Sequence, residues 1–69
     1  MKLYFENSYG EEKFIAEVAN EQEVSKEIQK FLDRHNYKSY YTRTWMRNNN
    51  EKMYDVGSWS EFFIVKINE

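Results

Sequence analysis

One segment of the chain, residues 20–36, carries its hydrophobic residues at a helical period. The apolar positions fall at i, i+4, i+7 and i+8 and form a single stripe: Val24, Ile28, Phe31 and Leu32. Asn20 is a favourable N-cap residue, and Glu23 three positions later completes a capping-box pattern. Asn36 tolerates the left-handed conformation that often ends a helix. The pattern therefore predicts one amphipathic helix over residues 20–36, with one buried face.

The segments on either side of this helix alternate hydrophobic and polar residues, which is typical of half-buried strands. Five such segments are predicted, at residues 2–6, 13–18, 38–47, 52–56 and 61–67. Turn-forming residues at 7–10 and three asparagines at 48–50 predict two hairpins. Gly57 leaves open whether the last two segments are separate strands or one long strand bent at a bulge. The predicted order is ββαβββ.

Strands combined with a single helix predict a two-layer α+β fold. The helix would cover one face of an antiparallel sheet of four to five strands. A chain of 69 residues makes one domain, residues 1–69, with a thin core. Two strand orders, 2-1-3-4-5 and 2-1-5-4-3, are both compatible with the pattern.

The charged residues indicate which side of each strand faces away from the helix, because an ionised side chain is seldom left in a core. Arg43, Asp55 and Lys66 serve as markers on the last three strands. On this basis we expect the following residues on the outer face, the face that the helix leaves uncovered: Tyr4, Ile15, Tyr41, Arg43, Trp45, Arg47, Met53, Phe62 and Ile64. The inward positions are then Tyr40, Thr42, Thr44, Met46, Tyr54, Val56, Phe63, Val65 and Ile67.

Six of these outer residues form the predicted binding surface: Tyr41, Arg43, Trp45, Arg47, Met53 and Phe62. Exposed apolar patches usually mark interaction sites, and Trp, Tyr and Arg dominate binding hot spots. Two alternatives stay open. In the first, the register of one strand is slipped, or termini and loops close over the patch. In the second, the face joins two copies in a homodimer.

Charge is distributed unevenly along the chain, whose net charge is −2. Residues 6–33 carry eight acidic and three basic side chains, and residues 34–50 carry four basic side chains and no acid. A basic segment rich in aromatic residues, 38–47, suits the stacking of unpaired bases, so single-stranded nucleic-acid binding is the alternative function. The acidic first half disfavours a polyanionic partner.

Several function classes lack the residues that they need. There is no cysteine, and the single histidine, His35, cannot by itself form a zinc site, so we expect no metal and no cofactor. No nucleophile motif or phosphate-binding glycine loop is present, which indicates a protein that is not an enzyme. The chain has no long apolar run, and we expect a cytoplasmic protein without a membrane partner.

Four stretches of the chain, RTW, YDVGSWSEFFIV, NSYGEE and HNYKSYYTR, resemble small uncharacterised proteins encoded by phages and prophages of low-GC Gram-positive bacteria. The resemblance implies a setting, since compact phage accessory proteins often bind and block host proteins, including defence nucleases. It assigns no residue a role. We therefore expect a non-enzymatic accessory protein that binds a host or phage protein through the outer face.

Overall fold

The computed structural model describes residues 1–36, 43–57 and 60–69. In chain order the elements are β1 (Lys2–Glu6), β2 (Glu12–Glu17), α1 (Glu21–Arg34), β3 (Arg43–Met46), β4 (Glu51–Asp55) and β5 (Phe62–Lys66). The α+β class and the ββαβββ order are confirmed. The predicted third strand began at residue 38, and its first five residues lie outside the described ranges.

The five strands form one sheet in the order β2-β1-β5-β4-β3, and every neighbouring pair is antiparallel. This is the second of the two orders that the sequence allowed. The last strand therefore lies in the middle of the sheet, between β1 and β4. Its run of four apolar residues, 62–65, agrees with this place, because a central strand has apolar neighbours on both of its faces.

Helix α1 covers the inner face of the sheet and supplies four of the ten residues of the buried cluster. Its four predicted apolar residues are all buried. The buried cluster on this side consists of Leu3, Val18, Val24, Ile28, Phe31, Leu32, Tyr54, Val56, Phe63 and Val65. Phe31 stacks on Phe5 with ring centroids 4.7 Å apart and meets Phe63 edge-on at 5.2 Å. These aromatic contacts join the helix to β1 and β5.

Both ends of the helix follow the capping chemistry that the sequence indicated. The Asn20 side chain accepts a hydrogen bond of 2.9 Å from the backbone N–H of Glu23. The Glu23 carboxylate in turn accepts from the backbone N–H of Ala19, one residue before the cap, at 2.8 Å. Asn36 has φ 58°, in the left-handed region, and the helix proper ends at Arg34. The predicted stretch 20–36 thus runs from the N-cap residue Asn20 to the left-handed Asn36, and α1 occupies the residues between them, Glu21–Arg34.

The predicted outward position of Ile15 is wrong. A bulge interrupts the pairing of β1 with β2, where Leu3 pairs with Ala16 and Tyr4 pairs with Phe14. The extra residue shifts the alternation by one position. Ile15 therefore packs against the inner core, and Phe14 takes its place on the outer face, edge-on to the ring of Tyr4.

Ile67 and Met46, which were expected to point into the core, are both exposed. Strand β5 ends at Lys66, and the backbone N–H of Ile67 donates to the Asn50 carbonyl at 2.8 Å. Ile67 thus begins a turn outside the sheet. Met46 is the last residue of β3, which lies at the edge of the sheet.

Replacing Leu32 by Ala should lower the free energy of unfolding by about 2 to 5 kcal/mol, because Leu32 is buried in the cluster and the truncation leaves a cavity. Chemical denaturation monitored by circular dichroism measures this loss. An unchanged unfolding curve would show that the helix does not pack as described.

The matched control is Gln29→Ala, one turn from Leu32 on the same helix. Gln29 is exposed and donates a hydrogen bond of 2.9 Å to the Asp33 carboxylate on the surface. Its replacement should change the free energy of unfolding by no more than about 0.5 kcal/mol.

Candidate protein-binding surface

The strand register arranges the side chains of the outer face in three rows that run across the sheet. The middle row, from β2 to β3, is Phe14, Tyr4, Ile64, Met53 and Trp45. Charged residues dominate the rows on either side. One contains Glu6, Glu12, Asp55 and Arg43 together with Phe62, and the other contains Lys2, Lys66, Glu51 and Arg47. The outer face is therefore a hydrophobic stripe between two charged ones.

Side chains from the two charged rows reach each other and form an ion-pair network. Its members are Glu6, Glu12, Arg47, Glu51, Lys66 and Glu69. The Arg47 guanidinium lies 3.1 Å from Glu51 and 3.5 Å from Glu6. Glu12 lies 2.7 Å from the Lys66 ammonium and 3.9 Å from Arg47. Glu12 thus joins both cations into one connected group.

The ion-pair network covers the centre of the hydrophobic stripe. Ile64 is 0% exposed and Met53 is 3% exposed, although the helix lies on the opposite face. Arginine and lysine bury apolar surface with their aliphatic stems while their charged ends stay near water. The Lys66 ammonium lies 4.7 Å from the centre of the Tyr4 ring, within the range of a cation–π contact. The network therefore acts as the second covering layer of the sheet.

The network also favours the charged forms of Glu51 and Lys66 and the neutral form of the neighbouring Tyr4. The side chain of Asn48 donates to Glu51 at 2.6 Å, and this bond, followed by Arg47, lowers the pKa of the Glu51 carboxyl. Hydrogen bonding to Glu12 raises the pKa of the Lys66 ammonium. The Tyr4 hydroxyl donates to Glu69 at 2.8 Å, which raises the pKa of that phenol. Each group keeps the charge state that holds the network together.

At the β3 end of the stripe the covering layer stops. Trp45 is 41% exposed and meets Phe62 edge-on, with ring centroids 5.8 Å apart. The Arg43 side chain beside them is 67% exposed. Every residue of β3 is exposed. We call Arg43, Trp45 and Phe62 together the β3 surface, and it is the part of the predicted binding surface where aromatic side chains reach solvent.

Arg43 also holds the edge strand in place. It donates to the buried carboxylate of Asp55 at 2.7 Å, and the backbone N–H of Gly57 donates to the same carboxylate at 2.8 Å. The Arg43 bond, followed by that of Gly57, lowers the pKa of the Asp55 carboxyl. The charge of Arg43, one of the predicted surface residues, therefore already balances an internal acid.

The six predicted surface residues therefore divide into groups. Trp45, Phe62 and Arg43 lie together and are accessible. Arg47 is engaged in the ion-pair network, and Met53 lies beneath the covering layer, so its expected exposure is wrong. Tyr41 lies outside the described residues.

The ion-pair network is the feature of the outer face that reasoning from the sequence missed. On three strands a charged residue lies two positions from an outward-facing residue, so both point to the same face. The pairs are Glu6 with Tyr4, Glu51 with Met53 and Lys66 with Ile64, and this spacing is visible in the sequence. Their cross-strand partners were not visible, because they depend on the strand order.

The remaining described surface contains a cleft beside the helix. Within residues 1–36, 43–57 and 60–69, no group of His, Asp and Glu side chains could hold a metal ion, and no helix is long and apolar enough to cross a membrane. A cleft of about 240 Å³ lies between α1 and the β3–β4 pair. Its Glu21 carboxylate accepts hydrogen bonds of 2.8 Å from Tyr54 and from Lys52. These bonds tie the start of the helix to β4.

No protein-family model matches the chain, and no curated protein and no solved structure matches it. Function is therefore inferred from the geometry and chemistry of the outer face.

Removing the Arg47 side chain should open the covering layer. We expect Arg47→Ala to lower the free energy of unfolding by about 1 to 2 kcal/mol, because three carboxylates lose a cation and the stem no longer covers the stripe. Binding of an apolar fluorescent dye should increase. The control is Lys30→Ala, which removes only an exposed pair with Glu27 and should cost no more than about 0.5 kcal/mol. Equal effects of the two variants would contradict the covering role.

Stability should fall in acid. Hydrogen bonds from Arg43, Asn48 and Lys52 lower the pKa values of Asp55, Glu51 and Glu21, respectively. A carboxyl whose pKa is lowered by folding contributes stability that is present above its unfolded pKa, near 3.8 for Asp55 and 4.5 for the glutamates, and is lost as the pH falls through the folded value. The urea midpoint should therefore decrease as the pH falls from about 5 to about 2. A midpoint that rises over this range would contradict these pairings.

Proposed function

We propose that the protein is a non-enzymatic binding protein that docks on another protein through the β3 surface. The observation that carries this proposal is the contrast along one hydrophobic stripe. Its centre is covered, with Ile64 and Met53 buried, and both ends are open, with Trp45 41% and Phe14 51% exposed; Trp45 is at the end that also carries Phe62 and Arg43. Charged side chains cover the apolar residues at the centre of the stripe, and Trp45 stays in solvent. Trp45 is therefore a candidate contact residue.

The chemistry around Trp45 supports a protein partner. Hot spots in protein interfaces are typically aromatic or arginine side chains at the centre of a patch, surrounded by a polar rim that excludes water. Trp45 and Phe62 hold each other edge-on, so docking costs little side-chain entropy. The Arg43–Asp55 pair and the ion-pair network supply a polar rim on either side.

The resemblance to phage and prophage proteins suggests where the partner is found. In that setting the partner is a host or phage protein in the bacterial cytoplasm, and inhibition of a host or defence protein is the activity that we propose. The β3 surface is the described feature that supports it.

Binding of single-stranded nucleic acid has less support. The two arginines of the described part of segment 38–47 already pair with carboxylates, Arg43 with Asp55 and Arg47 with Glu6, Glu12 and Glu51. A phosphate would have to compete with these acids for each guanidinium. We therefore expect at most weak binding of an unstructured oligonucleotide near physiological salt, with an affinity that falls steeply as salt increases.

The test is capture of a partner from bacterial lysate, with and without nuclease, by the wild type and by Trp45→Ala. Loss of one hot-spot residue costs 2 kcal/mol or more, so we expect affinity for the captured protein to fall by about 30-fold or more. Circular dichroism should confirm that the variant is folded.

The matched control is Phe14→Ala. Phe14 is 51% exposed and stands in the same row of the same face, at the opposite edge of the sheet. The control should retain the partner. Equal capture by Trp45→Ala and the wild type would contradict the docking proposal, and capture that disappears after nuclease treatment would favour the nucleic-acid alternative.

A further inference from the structure

Strand β3 directs backbone groups away from the sheet. The N–H of Arg47 donates to the Glu51 carbonyl of β4 at 2.9 Å. Backbone groups alternate in direction along an antiparallel strand, so Trp45 and Arg43 also bond toward β4, and Thr44 and Met46 direct their N–H and C=O groups to the other side. Among the described residues no strand pairs with that side. Four backbone groups therefore face the edge.

The two edges of the sheet differ in their protection against pairing with another strand. Strand β2, at one edge, has a bulge in its pairing with β1 and carries Glu12, Lys13 and Glu17. Bulges and charged side chains are the usual means of blocking edge-to-edge association. Strand β3 pairs with β4 in an uninterrupted register, and its edge-directed residues, Thr44 and Met46, are uncharged. The β3 edge has no bulge, and the charge of its one basic residue, Arg43, is balanced by Asp55 of the neighbouring strand.

We propose that β3 pairs with β3 of a second copy of this chain, antiparallel about a two-fold axis at Trp45. In this register Thr44 lies opposite Met46 of the second copy, and Met46 lies opposite its Thr44. The edge-directed groups of both strands then form four backbone hydrogen bonds. The two Trp45 residues face each other at a position without hydrogen bonds, where the Cα atoms of an antiparallel pair are about 4.5 Å apart.

The side chains of β3 are compatible with themselves in this register. On the helix side Thr44 of one copy lies beside Met46 of the other, and both side chains are uncharged. On the outer face Arg43 lies opposite Arg47 of the second copy, and like charges in that position would normally repel each other. Here each guanidinium already has a carboxylate, Asp55 at 2.7 Å and Glu51 at 3.1 Å, so two balanced pairs meet.

Pairing through the edge leaves the outer face open and enlarges it. A stable protein interface buries about 800 Å² on each partner. That area is about a sixth of the 4761 Å² accessible surface of one copy, and one exposed tryptophan supplies only a small part of it. The two-fold axis places both Trp45–Phe62 pairs side by side on one continuous face. The proposed pairing of β3 with a second copy rests on the edge geometry and does not depend on the docking proposal.

The first test is the molar mass in solution, by sedimentation or light scattering, from about 10 μM to about 1 mM, the range in which a small edge interface should associate. Thr44→Pro removes an N–H directed at the edge and keeps the bonds of β3 to β4, since proline is tolerated on edge strands in that orientation. Thr44→Val keeps the N–H and is the control. We expect the wild type and Thr44→Val to form dimers and Thr44→Pro to stay monomeric. A wild type that is monomeric throughout, or a Thr44→Pro variant that dimerises equally, overturns the proposal.

A second test does not depend on the proline variant. The chain has no cysteine, so Trp45→Cys introduces a single thiol. In the proposed register the two Cα atoms are close enough for a disulfide. Mild oxidation should convert most of this variant to a covalent dimer, and Phe14→Cys, at the other edge and at a position no less exposed, should cross-link at least tenfold more slowly. Equal rates for the two cysteine variants overturn the register.

Discussion

A single helix can cover only one face of a five-stranded sheet, and the structure depends on how the other face is covered. The constraint is strongest at β5, which lies between β1 and β4 and has Phe63 on the inner face and Ile64 on the outer face. Helix α1 buries Phe63. Ile64 needs another cover, and a chain of this size has too few residues for a second helical layer. Arginine, lysine and glutamate side chains provide it.

Ion pairs on a protein surface usually contribute about 0 to 1 kcal/mol each, and the network on this face would be unimportant if charge attraction were its whole effect. Its larger contribution is geometric. Connecting Arg47 to Glu6 and Lys66 to Glu12 draws long aliphatic stems over the stripe, which removes Ile64 and Met53 from water. At the β3 end Arg43 instead turns to Asp55, and Trp45 stays in solvent. One arrangement thus explains both the buried centre and the open end.

The sequence predicted the features that depend on local pattern. The span of α1 and its cap at Asn20 follow from period and capping chemistry, and the bounds of β1 agree with the structure. Features set by contacts between distant segments were not predictable. Alternation fits both strand orders, a bulge reverses the positions of Ile15 and Phe14, and the burial of Met53 requires side chains from β1, β2 and the region after β3 to meet above it. The outward direction of Trp45 needed only alternation and a charged marker, and it was predicted correctly.

The central claim is that charged side chains cover the middle of the outer face and leave its β3 end open. Nuclear magnetic resonance with a soluble paramagnetic agent tests this claim most directly, because each proton relaxes according to its exposure. The methyl protons of Met53 and Ile64 should relax as slowly as those of Leu3 and Val65 in the inner core, and the ring protons of Trp45 should relax several-fold faster. Methyl groups of Met53 and Ile64 that relax as fast as the Trp45 ring would contradict the account.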